Sequence, residues 1–325
     1  LPSDKEISSS RQRPPVLAVR APNALGELMM LLPALRLLHD SGLPFDLLIR
    51  PFARQLLGTL PYRLVTVASR GEEARRYRRS DAGYALTFRT SIRTLIQIRR
   101  GGMRAIGYRS PLKNPLLYGG IKHPVGTHRV IEFFRLARFA VDRICPQAAA
   151  RGPHEPGHLD LPLSPDHHQV ARAALARAGI TDAFTVVSPL SNPLHPAGWK
   201  VWPQFGELVR QLTAEGRTVL VCPGPGEVES CRRSVAAATL LEGVDLVTLT
   251  AILADASAVI ANDTGPMHIA AAVGAPTVGI YGQTPPRRYR PWAARAEAVG
   301  EKGAWPSVDE VRAAVDRVES MTGAA

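Results

Sequence analysis

Residues Ala258-Val-Ile-Ala-Asn-Asp-Thr-Gly-Pro-Met-His-Ile-Ala-Ala-Ala272 decide how the whole chain reads. Ala258 to Ala261 is apolar with no polar alternation, the pattern of a strand covered on both faces of a parallel sheet. Asn262-Asp263-Thr264-Gly265 turns the chain, and Pro266 to Val273 continues as a helix. Gly265 permits close backbone approach, and the first N–H groups of the helix have no intrahelical partner. A strand running straight into such a helix start is an anion site, with the Thr264 hydroxyl as an extra donor. Asp263 at the same place would repel a phosphate and suits a sugar hydroxyl better. The plainer alternative is that Asp263 and Thr264 only cap the helix. His268 lies one turn on and faces the same end, where a lone His is more often a structural residue.

Working outward, the same alternation recurs in both directions. Thr277 to Tyr281 is a strand, and Ser307 to Met321 is an amphipathic helix with Ser307 as its N-cap. Before the central stretch come a helix from Asp166 to Ala178 that stops at Gly179, a strand at Phe184–Ser188, and a helix over Pro203–Glu215. A strand at Thr218–Cys222 and a helix over Glu227–Leu240 follow. The first half repeats the pattern. Val16–Arg20 is a strand, Ala21–Gly26 a loop, and Glu27–His39 a helix in which Pro33 predicts a kink or early break. Strands at Phe45–Ile49 and Ala85–Phe88, a basic amphipathic helix from Ser91 to Arg100, and a helix over Arg129–Asp142 complete it. Residues 151–165 are rich in Pro and Gly and read as a linker. The expected organisation is a disordered stretch over 1–15, an N-terminal domain over 16–150, and a C-terminal domain over 166–325. The fold class is α/β, two Rossmann-like doubly wound domains with a cleft between them. Ligands in such folds bind at the carboxyl ends of the strands.

Composition sets outer limits. Of 325 residues, 45% are hydrophobic and 21% charged, which excludes bulk disorder. The three cysteines, Cys145, Cys222 and Cys231, are widely spaced and odd in number, so no disulfide framework is implied and a reducing compartment fits. The net charge of +12 points to an anionic partner, or to no more than Arg-rich coding. No RNP, KH or zinc-finger pattern appears, so nucleic acid is not the expected partner. The uncharged stretch Thr264–Pro286 is broken by Gly274, Pro276, Gly279 and Gly282 and does not read as a membrane span.

Three further segments carry candidate chemistry. Lys200, between Trp199 and Trp202 in a chain with few lysines, can reach a phosphate as a compact point charge; the alternative is a snorkelling surface lysine. Glu27 follows Gly26 at a helix start, where it either pairs with the helix dipole or serves as a general base for a hydroxyl presented to it. Cys222-Pro-Gly-Pro-Gly-Glu-Val-Glu229 has the shape of a Rossmann turn but carries Glu229 where the third glycine belongs. Glu227 is the candidate to accept from a ribose, or is an ordinary first-turn Glu. There is no Asp-x-Asp, hence no sign of a divalent metal bridging a diphosphate. His154, His158, His167 and His168 lack partners at metal spacing and read as solvent-facing.

Taken together, these segments resemble glycosyltransferase family 9, the lipopolysaccharide heptosyltransferases that use ADP-heptose. The resemblance rests on Val16–Leu35 with Gly26-Glu27 and Pro33, and on Lys200-Val-Trp-Pro203. It also rests on Asp263-Thr-Gly-Pro-Met-His268, on Gly282-Gln-Thr284, and on a basic helix running to Arg104-Ala-Ile-Gly-Tyr108. It implies a GT-B fold and inverting transfer without a metal or other cofactor. The donor, a nucleotide sugar, would sit on the C-terminal domain, and a glycan or glycolipid acceptor on the N-terminal one. By the same resemblance Glu27 is the base, where the family usually has Asp. Lys200 and the helix start at Thr264-Gly265 would stabilise the leaving diphosphate. Ser191, Glu227, Asp263 and His268 would complete the donor site, and Asn23 and Arg93 would lie on the acceptor side. The implied location is cytoplasmic, with the basic helix on an anionic inner-membrane leaflet or simply a solvated basic face over core. A non-catalytic nucleotide-sugar or glycan-binding protein, or a sugar-nucleotide epimerase, are the other functions such a scaffold serves. The loop from Ser188 to Lys200 is longer than the resemblance leads one to expect.

Overall fold

A computed structural model of the chain describes residues 16–148, 151–191 and 200–321. The stretch expected to be disordered and most of the loop before Lys200 lie outside the described residues. The first half contains β1 (Leu17–Arg20), α1 (Leu25–Met30), α2 (Leu32–Asp40), β2 (Phe45–Ile49), α3 (Ala53–Leu57), β3 (Arg63–Thr66), α4 (Arg70–Arg79), β4 (Tyr84–Thr87), α5 (Ile92–Arg100), β5 (Arg104–Arg109), β6 (Gly119–Lys122) and α6 (Arg129–Ile144). The second half contains α7 (Pro165–Arg177), β7 (Phe184–Ser188), α8 (Phe205–Ala214), β8 (Thr218–Val221), α9 (Val228–Ser234), β9 (Thr239–Leu240), α10 (Leu246–Asp255), β10 (Ala258–Asn262), α11 (Gly265–Ala272), β11 (Thr277–Ile280), α12 (Pro286–Tyr289), β12 (Ala296–Val299) and α13 (Val308–Ser320).

The strands form two six-stranded sheets, ordered β3-β2-β1-β4-β5-β6 and β12-β11-β10-β7-β8-β9. Every strand pair is parallel. Numbered within its own half, each sheet has the same doubly wound order, and the chain reverses direction across the sheet between β1 and β4 and between β7 and β10. Side chains are buried along the whole of β1, β2 and β10, as helices on both faces require. The central apolar run was legible for this reason.

Local chemistry sets the element ends. Pro33 divides the expected first helix: α1 ends at Met30, Leu31 caps α2, and Pro33 stands in the first turn of α2, where its missing N–H costs nothing. Ser307 caps α13 as expected: its Oγ accepts the Glu310 N–H at 3.2 Å, and Glu310 Oε2 accepts the Ser307 N–H at 2.8 Å. Two expectations fail. The helix over Glu227–Leu240 stops at Ser234, because Val235 is buried and Thr239–Leu240 pairs with β8 as an edge strand. Sheet pairing there overrides the helix propensity of Ala236–Ala238. The basic helix does not reach Arg104. It ends at Arg100 before Gly101-Gly102, the latter at φ +81°, and Arg104 opens β5.

The two lobes share one core. Leu35 of α2 and Phe133 of α6 belong to the same apolar cluster as Ile269 and Ala270 of α11. Residues 151–164 form a pinned strap. Leu159 and Leu161 are buried, and the Leu161 N–H donates to Ala272 O at 2.9 Å. The starts of α1 and α11 meet closely. A Cβ on Gly26 would stand 2.6 Å from His268 Cδ2, and one on Gly265 would stand 2.9 Å from Leu25 Cδ2. Gly26→Ala gains about 1 kcal/mol of helix propensity but overpacks this contact by about 1–3 kcal/mol. Because His268 is buried and cannot swing aside, a net loss of stability is expected in a urea titration. An unchanged midpoint would show that the lobes part freely here.

Candidate functional site

The carboxyl ends of β1, β7 and β10 open onto a cavity of about 620 Å³. Both switch points of the two sheets therefore face the same space. Ala24 to Glu27 and Met30 line one side. Ser188, Ser191, Lys200, Glu227, Asp263 to Pro266, His268 and Tyr289 line the other. The seven residues expected for donor binding thus converge here with Glu27.

The centre of the C-terminal side is a buried ion pair. Lys200 Nζ donates to Asp263 Oδ2 at 2.8 Å and to the Asp263 carbonyl at 3.4 Å, and both residues are 7% exposed. Lys200 is therefore not a snorkelling surface residue. Thr284 Oγ1 donates to the same carboxylate at 2.6 Å, and His268 Nε2 lies 3.5 Å from Asp263 Oδ1. Burial alone would raise the Asp263 carboxyl, but His268 and Lys200 outweigh it and hold the group well below the usual carboxylate range. The Tyr289 ring lies 5.9 Å from Lys200 Nζ, closing the ammonium in from another direction.

Neither Asp263 nor Thr264 caps α11. Thr264 sits at the N-cap position without a side-chain bond to the helix, and its Oγ1 donates to Asn262 O at 3.2 Å. The amides of the first turn are left without a side-chain partner at the cavity wall. Asn262 holds the surrounding loops. Its Nδ2 donates to Pro189 O at 2.8 Å, and its Oδ1 accepts the Trp202 N–H at 3.0 Å. Ser191 Oγ accepts the Lys200 N–H at 3.0 Å, so its own proton stays free to donate. Glu227 closes the glycine turn, accepting the Gly224 N–H at 2.9 Å.

Glu27 is part of a network that no motif announced. Arg129 Nη2 donates to Glu27 Oε1 at 2.5 Å, while its Nη1 donates to Glu132 Oε2 at 2.6 Å. Glu132 is fully buried and also meets Arg288, from the other lobe, at 3.1 Å. Burial works against the charge of Arg129, but the two carboxylates more than restore it. Glu27 Oε2 takes no hydrogen bond from any described residue. In the sequence Arg129 and Glu132 look like an ordinary surface pair at i, i+3. Only their burial distinguishes them.

The acceptor-side candidates do not line the cavity. Asn23 is exposed, and its Oδ1 accepts from Arg20 Nη2 at 2.7 Å, so it shapes the loop before Glu27. Arg20 is itself buried and paired with Glu73 at 3.1 Å. Arg93 lines a separate depression with Arg89 and Lys113. Its helix, α5, turns Leu95 and Ile98 into the core, so that apolar face is not available to a bilayer. His154 and His158 are exposed, as expected. His167 is used in the α7 cap, with Nδ1 accepting from Ser164 N, and His168 Nδ1 meets Asp255 Oδ1 at 3.0 Å. Among the described residues no group of three or more His, Cys, Asp or Glu is placed to hold a metal ion.

Comparison with known proteins adds the following. The sequence model described as glycosyltransferase family 9 (heptosyltransferase) matches residues 121–315. Lipopolysaccharide heptosyltransferase 3 of Escherichia coli is 30% identical over 132 residues, which span 38% of this chain and 38% of that protein. Among solved structures, E. coli ADP-heptose LPS heptosyltransferase II matches with a TM-score of 0.74 at 20% identity, over 94% of this chain and 99% of that one. E. coli heptosyltransferase WaaC with ADP matches with a TM-score of 0.68 at 18% identity, over 93% and 98%. At these identities the likeness shows a shared fold, the GT-B arrangement of two doubly wound lobes.

His128 joins the lobes just outside the cavity. Its Nδ1 accepts the Val130 N–H at 3.2 Å as the cap of α6, which makes Nε2 the protonated nitrogen that donates to Arg290 O at 3.0 Å. Burial pushes its pKa down from 6.5 to about 4. The unfolded chain therefore binds more protons in that window, so this contribution is complete above pH 6.5 and is lost as pH falls toward 4. The expected effect on unfolding free energy is at most about 3 kcal/mol. A His128→Asn variant, which keeps a cap acceptor, should be flatter across the same window in denaturant titrations. Parallel wild-type and variant curves would reject the assignment.

Proposed function

The chain belongs to glycosyltransferase family 9, and from that membership we propose an inverting, metal-independent transferase. It moves a sugar, heptose from ADP-heptose, onto a lipopolysaccharide-core or other glycan acceptor. The observation that carries this reading is the shared cavity, where Glu27 on one lobe and the Lys200–Asp263 pair with the α11 start on the other line the same space.

Glu27 Oε2 takes the proton of an acceptor hydroxyl while that oxygen attacks the anomeric carbon from the face opposite the diphosphate. The new C–O bond forms as the bond to the diphosphate oxygen breaks, and the nucleoside diphosphate leaves with the electron pair. Arg129 fixes Glu27 through Oε1 and leaves Oε2 for this proton. Two hydrogens of the Lys200 ammonium are directed to Asp263, and the third is available to the departing diphosphate. The uncapped amides of α11 and the Ser191 hydroxyl add preorganised donors where negative charge develops. Asp263 acts chiefly by holding Lys200, a different part from the sugar contact that the sequence suggested. Glu227 at the rim remains the candidate for the ribose.

The reading without a metal rests on the missing Asp-x-Asp and on this supply of fixed donors. One feature favours a non-catalytic sugar-nucleotide binder on the same fold, namely Glu27 in the place of the family's usual Asp. The same experiment separates the two. With ADP-heptose and a heptose-deficient core glycan as acceptor, the wild type should release ADP in the presence of a chelator and form product of inverted anomeric configuration. Glu27→Gln should lower kcat by at least about 10²-fold with little change in donor affinity. Lys200→Ala should weaken donor binding and slow transfer together. Near-normal turnover by Glu27→Gln would remove the base assignment, and donor binding without ADP release from any acceptor would support the binder.

A further inference from the structure

Much of the chain's positive charge lies in one stretch, of which the transfer reading uses only Arg129. Between Asp81 and Glu132 there are nine Arg and Lys residues and not one Asp or Glu. The sheet is parallel throughout, so the carboxyl ends of β5 and β6 lie on the side of the lobe where β1 opens onto the cavity. Arg109 ends β5 and Lys122 ends β6, and the two residues are register partners on neighbouring strands at the edge of the sheet. From these adjacent points the chain leaves the sheet twice in the same pattern: Arg109-Ser-Pro-Leu112 and Lys122-His-Pro-Val125. Each is a cation, a spacer, a proline and an aliphatic residue.

The aliphatic tips do not pack. Val125 is 90% exposed and Leu112 is 77% exposed, the two highest values among the large apolar residues described. Single exposed apolar residues are ordinary on a protein surface. Here two stand at the tips of twin loops, each held out by a proline with fixed φ, and each follows a cation that no carboxylate neutralises. Arg93, Arg109, Lys113 and Lys122 make no ion pair among the described residues. This is the layout of a surface that settles on an anionic bilayer: cations at headgroup depth, with short aliphatic side chains reaching past them.

We propose that this edge of the N-terminal lobe, the Leu112 and Val125 loops with Arg109, Lys113 and Lys122, docks the protein on an anionic lipid surface. The contact is made by loop tips and not by the basic helix α5, whose apolar side faces the core. Its position gives it a use. Four residues after Val125 comes Arg129, whose guanidinium holds Glu27. A lipid surface held at the tips therefore lies on the cleft side of the lobe that carries Glu27. The inference concerns binding alone and stands or falls separately from the transfer reading.

The test is flotation of the full chain with vesicles of phosphatidylcholine alone and of equal parts phosphatidylcholine and phosphatidylglycerol. Binding is expected only to the second and should weaken as salt is raised. Neutralising two surface cations in Lys113→Gln/Lys122→Gln should weaken partitioning about thirty-fold. Leu112→Ser/Val125→Ser should weaken it about tenfold. Leu112, Lys122 and Val125 are exposed and Lys113 is half-buried, and an unchanged thermal transition confirms that the variants fold. Arg99→Gln/Arg100→Gln removes the same charge at the opposite end of α5 and should leave binding intact. Equal binding to both vesicles would overturn the proposal. So would an Arg99/Arg100 effect as large as that of Lys113/Lys122, which would make the attraction one of net charge. Binding untouched by the Leu112/Val125 change would also overturn it.

Discussion

The site depends on two glycines that let two helices begin within van der Waals distance of each other. Gly26 gives room to His268, and Gly265 gives room to Leu25. Each glycine follows the strand beside its own sheet's switch point, β1 in one lobe and β10 in the other. The crevice that each doubly wound sheet forms alone is thereby merged into one cavity with two walls. A side chain at either position would wedge the walls apart and separate Glu27 from the groups across the cleft. The requirement is steric, and it explains why short loops and not insertions connect these strands to their helices.

Charge in the cleft is arranged by pairing before any ligand arrives. Asp263 would be costly alone at its burial, and so would Lys200; together, with Thr284 and His268, they form a satisfied group. Asp263 thereby cancels the repulsion that its position seemed to impose on a phosphate. What this wall then leaves free is a set of directed donors, the remaining ammonium hydrogen and the uncapped amides of α11, more than a net charge. The basic excess of the chain lies elsewhere, on the outer edge of the N-terminal lobe.

The sequence showed the parts that are local. Buried parallel strands announce themselves as unbroken apolar runs, and a glycine between strand and helix marks a ligand-binding turn. For that reason the doubly wound fold was legible, and so was the placing of Asp263, Thr264, Gly265 and Glu27 at strand-to-helix turns that line one cavity. Pairings across the chain were not. Nothing near Lys200 states that its ammonium ends on Asp263, and nothing near Arg129 states that it meets Glu27, because residues far apart in sequence come together only in the fold. The same limit explains the C-terminal edge. Ala236 to Ala238 carry real helix propensity, but a vacant position beside β8 outweighs it, and the chain becomes β9. At α5 the periodic apolar residues left two readings open, a lipid leaflet or the core, and the packing of Leu95 and Ile98 decides for the core.

The chain Glu27–Arg129–Glu132–Arg288 has a consequence for how the two lobes move. Glu132 is wholly buried and is balanced by one arginine from each lobe. Parting the lobes would take Arg288 away and leave Glu132 with Arg129 as its one arginine, beside the His123 ring at 3.7 Å. Breaking one partner from a buried charge typically costs about 3–5 kcal/mol unless water or another cation replaces it. A guanidinium drawn more strongly to Glu132 would in turn hold Glu27 less firmly. Glu27 is therefore best ordered when the lobes are together, since the same arginine that positions it is kept in balance by the opposite lobe. Orientation of Glu27 and closure of the cleft are in this way one electrostatic event, carried by side chains that need never touch either substrate.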